Sequence, residues 1–266
     1  MSKFHVDLCL PPTDAKHLPE AIATAMAPFR VDQPGDWSED WIWDWWHINS
    51  YEDSGDFAVR AEHDGDPRLI WEQTFPNGDL RERALLRCDG GPRGLLDFDI
   101  TRSEAVARAR ATWEGQQADF QRLLADHPPA RPLTAFLARH EADPEGYPRE
   151  RAVAEHHAQP LVRALNHRGA WERYPSLGVW VLGPDSDPIT KFTQDPEPEI
   201  EQAAVNALLS YALVTLDGEW IQRDRLGPFA SPQPDETAAN VYARQATAYL
   251  ENLDEDSVIV RLLCHG

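Results

Sequence analysis

Both ends of the chain carry the pattern of a β-strand, a helix and a second β-strand. At the start, apolar and polar residues alternate over residues 4–10, as on a strand with one buried face. An apolar stripe at helical spacing follows over 14–29, and an aromatic block covers 41–48. The corresponding segments at the other end are 210–216, 236–253 and 257–264. Together they predict an α+β fold with a βαββαβ, ferredoxin-like antiparallel sheet formed by the two chain ends.

Two hairpins are also expected within the segments that form this core. Asp217 and Gly218 separate two short apolar runs, and an Asp-Gly dipeptide in that position is a strong hairpin signal. Residues 57–62 and 68–72 flank a turn-forming stretch around Gly65 and predict the second hairpin.

The middle of the chain predicts a mainly helical insertion, residues 76–205, into a core formed by residues 1–75 and 206–266. The spacing of a threonine and a glutamate at Thr101 and Glu104 is that of a capping box, which predicts the start of a long helix. Residues 76–96 carry turn-forming glycines and prolines and are expected to be loop. Shorter helices are expected over 133–140 and 149–168, and Pro160 either kinks the second or begins a new helix.

The charge balance restricts the classes of partner. The chain carries 45 acidic and 25 basic side chains among 266 residues, a net charge of −20 at pH 7. Such a surface repels phosphates, so direct binding to nucleic acid or to a membrane is not expected. The expected partner is a small molecule or a basic protein, although the acidity is also explained by solubility alone. Three cysteines and the lack of a signal-peptide pattern indicate a cytoplasmic protein.

Residues 43–48 read WDWWHI, and further distinctive segments lie around Gln159, around Trp220 and at the final residues. In order along the chain, these segments resemble the WDWYQIGGRW, WAQP, AVVKDGKWY and LPDDTLLTVVDCHI elements of a protein family found in bacteriophages and actinobacteria. The match departs at residues 49–52, which read Asn-Ser-Tyr-Glu where the family has Gly-Gly-Arg-Trp. The resemblance implies no particular activity, and its phage association implies a role in counter-defence or in modulating a host protein.

The aromatic block is a candidate ligand-binding site. Exposed tryptophans bind rings and cations by stacking and cation–π contact, and neighbouring acids favour a cation. We therefore take Trp43, Asp44 and Trp45 as ligand-binding candidates, with Gln159 and Trp220 from the segments that resemble the family. The alternative is that these tryptophans fill the space between the sheet and the helices.

His47, His265 and Asp7 are the candidate catalytic residues. If the last strand pairs with the first, His265 lies near His5 and Asp7, and a histidine beside a carboxylate can act as a general base. The alternative is that these are scattered surface polar residues. The adjacent histidines of the middle segment lack the spacing of helical metal ligands, and glycine-rich nucleotide motifs are absent. We therefore expect neither a metal nor a cofactor.

These observations predict a binding or inhibitory protein that acts through an acidic, tryptophan-containing pocket or surface, in a phage–host context. One alternative is an enzyme of unrecognised class that uses His47 or His265 with a nearby carboxylate on a small cationic substrate. Another alternative is a DNA mimic that antagonises a nucleic-acid-binding protein.

Overall fold

The computed structural model describes residues 3–31, 42–48, 56–165, 170–178, 183–222 and 236–266. The chain divides into two compact units, one comprising Met1–Ala105 with Gln202–Gly266 and the other Val106–Glu201. Helices and strands are both present, and the main sheet contains the strands at both chain ends. The expected α+β class is therefore confirmed.

The described strands are β1 (Lys3–Leu10), β2 (Trp45–Ile48), β3 (Phe57–Ala58), β4 (Arg87–Cys88), β5 (Gly90–Pro92), β6 (Ala212–Val214), β7 (Trp220–Gln222) and β8 (Val258–His265). The described α-helices are α1 (Leu18–Met26), α2 (Phe98–Asp126), α3 (Leu133–Ala142), α4 (Arg149–His157), α5 (Pro160–Leu165), α6 (Ala170–Arg173), α7 (Pro188–Thr193), α8 (Glu197–Asn206) and α9 (Glu236–Glu251). Pro160 begins α5, one of the two alternatives that the sequence leaves open.

The main sheet of the first unit has the strand order β2-β8-β1-β6-β7, and β5 also pairs with β8. β1 is antiparallel to β8 and parallel to β6, as in a ferredoxin-like sheet. The ferredoxin-like order as a whole is not confirmed, because β2 pairs with β8 and not with β6. The free edge of β6 is filled by β7, which the tight turn at Asp217 and Gly218 brings back alongside it.

One face of this sheet packs against α1, and the residues that the central strands β1 and β8 contribute to it are apolar or a cysteine. Alternate residues of β1 and β8 point to this side, and Val6, Leu8 and Val260 are fully buried in it. Ile22 and Met26 of α1 are also fully buried against the same cluster. The alternation in β1 and the helical stripe of α1 thus each place their apolar side in one core, as predicted.

The opposite face packs partly against α9. Cys9 and Ile259 of the central strands lie in one buried cluster with Tyr242, Ala246 and Leu250 of that helix. The remaining side chains of β1 and β8 on this face are mostly polar or charged, and they build the candidate site described below.

The predicted hairpin between residues 57–62 and 68–72 is not formed. β3 pairs instead with β4, and residues Ala61–His63 form a short 3-10 helix. The amide groups of Asp56 and Val59 donate to the carbonyl groups of Cys88 and Leu86 at 2.9 Å each, so the hydrogen-bonding edge of this segment is used by a more distant part of the chain.

Two other local expectations are corrected. The stretch 76–96 is not all loop, because it contains β4 and β5. β5 passes so close to β8 that a Cβ atom on Gly90 would lie 2.3 Å from the carbonyl oxygen of Ile259. α2 begins at Phe98 and not at Thr101. Asp97 caps this helix through its carboxylate, which accepts a hydrogen bond from the amide of Ile100 at 2.9 Å.

The second unit is helical and has its own core. Its fully or nearly fully buried apolar residues include Phe120, Leu123, Leu161, Val162, Leu165 and Phe192. Among the described residues of the chain, no helix is both long enough and apolar enough to cross a membrane.

Candidate functional site

Asp44, Trp45 and His265 come together at one end of the main sheet. Trp45 and His265 lie directly opposite each other in the β2–β8 pair. The amide of Asp44 donates to the carbonyl oxygen of His265 at 2.9 Å, and its carboxylate Oδ1 lies 2.7 Å from Nδ1 of the His265 ring. A carboxylate can only accept, so Nδ1 carries the proton in this pair and Nε2 is left as the basic nitrogen.

The indole of Trp45 lies flat against the same imidazole. The two ring centroids are 5.5 Å apart and the planes differ by 7°. Lys3 faces His265 from the neighbouring strand β1, and its ammonium group lies 5.9 Å from the centroid of the Trp45 ring. Trp45 remains 36% exposed, and the Asp44 side chain 39%. The cluster therefore offers an accessible aromatic surface, a carboxylate and an oriented imidazole to solvent.

His47 lies on the same face as Trp45, two residues further along β2 and opposite Leu263. Its ring Nδ1 contacts the carbonyl oxygen of Ile48, to which it donates. The strand spacing puts this rung about 7 Å from that of Trp45, so His47 lines the same strip of the sheet.

Asp7 does not join His265, which corrects the expected His5–Asp7–His265 constellation. The last strand does pair with the first, but in a register that places Asp7 opposite Arg261 and His265 opposite Lys3. The two rungs are four residues apart, or about 13 Å along the strands. The carboxylate partner of His265 is Asp44, from a segment that is close in space and distant in sequence.

Asp7 is instead part of a buried ion pair. Arg261 donates to the two carboxylate oxygens of Asp7 at 2.7 and 3.1 Å and to the carbonyl oxygen of Leu208 at 3.1 Å. Asp7 also accepts from the amide of Ser210 at 3.0 Å, and only 1% of its surface is exposed. Its hydrogen-bonding capacity is thus committed to structure.

A second carboxylate, Asp56, lies beside this pair with its Oδ1 3.8 Å from Arg261. Its Oδ2 is buried and makes no hydrogen bond within the described part of the chain. Burial raises the pKa of Asp56 to about 7, against the opposing influence of Arg261. This face of the sheet therefore contains a carboxyl group whose charge depends on pH near neutrality.

A further buried pair follows on the adjoining segment. Arg81 donates to Asp89 at 2.6 Å, both side chains are fully buried, and the guanidinium stacks on the ring of Trp71 at 3.7 Å. Neither Arg261 nor Arg81 is among the site residues predicted from the sequence. A usable signal for Arg261 exists, because it interrupts the apolar run of residues 258–264, just as Asp7, the one acidic residue of β1, interrupts the apolar residues 6–10.

The other predicted ligand-binding residues make contacts with other residues of the protein and do not join this cluster. Trp43 is 6% exposed, and its indole N–H donates to the carbonyl oxygen of Met26 at 3.0 Å. Trp220 packs on Phe29 with ring centroids 4.8 Å apart. Gln159 belongs to the second unit, where its side-chain amide makes hydrogen bonds of 2.7 and 2.9 Å to the backbone of Arg131.

The described residues contain no group of three or more histidine, cysteine, aspartate or glutamate side chains arranged to hold a metal ion.

Comparison with known proteins gives no further assignment, since no family model, curated protein or solved structure matches this chain. The function proposed for this cluster therefore rests on the geometry of Asp44, Trp45 and His265.

Proposed function

We propose that the protein binds a cationic small molecule, or the cationic side chain of a basic protein, on the surface formed by Asp44, Trp45 and His265. The observation that carries this proposal is the partly exposed Trp45 ring, which is stacked on His265 while His265 is fixed by Asp44. Because the ring is already held in place, the Trp45 side chain loses little conformational entropy when a ligand binds.

The electrostatics of the cluster favour a cation. The face of an indole attracts positive charge, and a half-exposed carboxylate lies beside it. The Lys3 ammonium, 5.9 Å from the ring centroid, already occupies the kind of position that a ligand cation would take. A net charge of −20 draws cations to the whole surface and raises their local concentration.

Choline is a suitable probe, because its quaternary ammonium group carries a positive charge and no N–H donor. Its binding is measured by ligand-observed NMR and calorimetry. We expect Trp45→Ala to weaken choline binding about tenfold and Trp45→Phe to retain part of it. Lys3→Ala should tighten binding, because it removes the competing cation. Trp220→Phe, which alters a half-buried indole on the other face, is the matched control.

Absence of choline binding to the wild-type protein, or binding that Trp45→Ala leaves unchanged, would overturn this proposal. A similar loss in the Trp220→Phe control would point to a general effect on folding.

A second candidate function is favoured by the 2.7 Å contact between Asp44 and His265. A carboxylate that orients imidazole in this way leaves Nε2 available as a general base, so an enzyme that activates water or a hydroxyl group is the alternative. With p-nitrophenyl acetate as substrate, His265→Gln should abolish hydrolysis above background and Asp44→Asn should reduce it strongly. Equal rates in wild type and His265→Gln would exclude this role for the histidine.

A further inference from the structure

A wide groove lies at the opposite end of β1 from Trp45. It has a volume of about 700 Å³ and runs between the segment that follows β1, the outer side of α1 and the turn between β6 and β7. Seven strand residues, about 23 Å, separate Leu10 at this end from Lys3 at the other. The groove is therefore a site distinct from the aromatic cluster.

The lining of the groove combines apolar and acidic groups. Its apolar part includes Pro11, Pro12, Ala21 and Leu216, and Leu216 is 40% exposed although it is a large aliphatic residue. Its acidic part consists of Asp14, Glu20 and Asp217, all of which are exposed. Among the described residues that line it, His17 is the one basic side chain, and neither lysine nor arginine is present. The groove thus complements a ligand that carries both positive charge and apolar side chains.

The two walls of the groove are held by hydrogen bonds. The amide of Leu216 donates to the hydroxyl oxygen of Tyr249 at 2.7 Å, which fixes the β6–β7 turn to α9. Thr215 closes the same turn, as its amide donates to the carbonyl oxygen of Glu219 at 3.0 Å. On the other wall, Asp14 accepts from the amide of His17 at 3.1 Å and lies 2.7 Å from its ring nitrogen. A preformed surface of this kind binds with a smaller entropic cost.

We propose that this groove docks an extended segment of a basic protein, with lysine or arginine side chains against Glu20 and Asp217 and aliphatic side chains against Leu216 and the prolines. The shape favours a peptide over a compact molecule, because most of the lining is exposed and a small ligand would be only partly enclosed. Charge complementarity selects a basic segment. This inference does not rest on the function proposed for the aromatic cluster.

The probe is a fluorescently labelled hexapeptide of alternating lysine and valine, and the measurement is its fluorescence anisotropy at low and at high salt. A peptide of alternating glutamate and valine is the charge-reversed comparison. We expect the lysine peptide to bind more weakly as salt rises and the glutamate peptide not to bind.

The groove is tested by conservative changes that keep the local turns. Glu20→Gln combined with Asp217→Asn should weaken binding about tenfold, and Leu216→Ala about fivefold. The matched control removes exposed carboxylates of the second unit, Glu141→Gln and Glu145→Gln, and should leave binding unchanged.

Three outcomes would overturn the proposal. One is an equal loss of binding in the groove variant and the control variant, which would mean that only net charge matters. Another is spermidine binding as tight as that of the peptide with no effect of Leu216→Ala, which would assign the groove to small polyamines. The third is loss of peptide binding in Trp45→Ala with the groove variants unaffected, which would assign the peptide to the other end of the sheet.

Discussion

The two faces of the main sheet are built from the same central strands and differ in chemistry. On the α1 side, every inward residue of β1 and β8 is apolar or a cysteine, and the cluster excludes water. On the other side, the same strands contribute Asp7 and Arg261, and Asp56 lies beside them. The first face is stabilised by burial and close packing, which do not depend on pH. The second depends on how its charges are paired.

A polar group buried in this sheet is stabilised by the hydrogen-bond and charge partners around it. Asp7 is satisfied by three donors, while Asp56 has one oxygen without a hydrogen bond among the described residues. The charged face is thus the more sensitive of the two to a single substitution, because a lost partner leaves a charge in a region of low dielectric.

The largest effect is expected for Arg261→Met. This change leaves the carboxylates of Asp7 and Asp56 buried without their guanidinium partner, and we expect the free energy of unfolding to fall by about 4 kcal/mol. Urea denaturation followed by circular dichroism measures the loss.

The double variant Asp7→Leu with Arg261→Met provides the control for this prediction. It removes both charges of the pair and should recover a substantial part of the stability. If the double variant is no more stable than Arg261→Met, the loss is due to packing around the arginine stem and not to an unpaired charge.

On the apolar face, Leu8→Ala should cost about 3 kcal/mol, because it leaves a cavity in a fully buried position. The same denaturation experiment at pH 5 and pH 8 should give the same loss, since no titrating group is involved. A loss that differs between the two pH values would show that the two faces are not independent.

Asp56→Asn should change the pH dependence of stability. The pKa of Asp56 is 3.8 ordinarily and about 7 in the folded protein, so the folded state binds the proton more tightly. The resulting stabilisation is complete below about pH 4 and is lost as the pH rises through 7. Between pH 5 and pH 8 the wild type should therefore lose about 3 kcal/mol more than Asp56→Asn.

The groups that act on Asp56 include Arg261 and Arg81, which lower its pKa, and Asp89 and Asp7, which raise it. Denaturation curves over this pH range measure the difference between the two proteins. Parallel profiles for wild type and Asp56→Asn would mean that another group titrates in this range.

The smallest effect on stability is expected for Asp44→Asn. The Asp44–His265 pair lies at the open end of the charged face, where solvent screens the interaction. Its loss should cost less than about 1 kcal/mol, in contrast to the buried pair. A much larger loss in thermal unfolding would move Asp44 from a binding role to a structural one.

Local patterns were sufficient to predict several elements. The alternation in β1 and the stripe of α1 follow from periods of two and 3.6 residues, which a short window contains. The position of β2 could not be predicted in this way. Which edge a strand joins depends on what else competes for that edge, and the β6 edge is filled by β7.

The candidate site was predictable residue by residue but not as an arrangement. Asp44, Trp45 and His265 were all selected from the sequence, yet the histidine was assigned to Asp7. The register of the β1–β8 ladder pairs His265 with Lys3 and so leaves Asp7 four residues away along β1. The sequence gives no signal for the pairing of Arg81 with Asp89, because this pairing depends on how the segment that contains Arg81 folds back against Trp71.

The antiparallel pairing of β1 with β8 also bears on how the protein is made. Residues 258–265 are synthesised after the other described strands of the sheet, yet β8 lies inside it between β1 and β2. More than two hundred residues separate β1 from β8 along the chain, so roughly ten seconds or more pass between the synthesis of β1 and that of β8 at usual rates of elongation. During that interval one edge of β1 and one edge of β2 lack the strand that finally covers them, so the nascent chain is exposed to mispairing until residues 258–265 have been made.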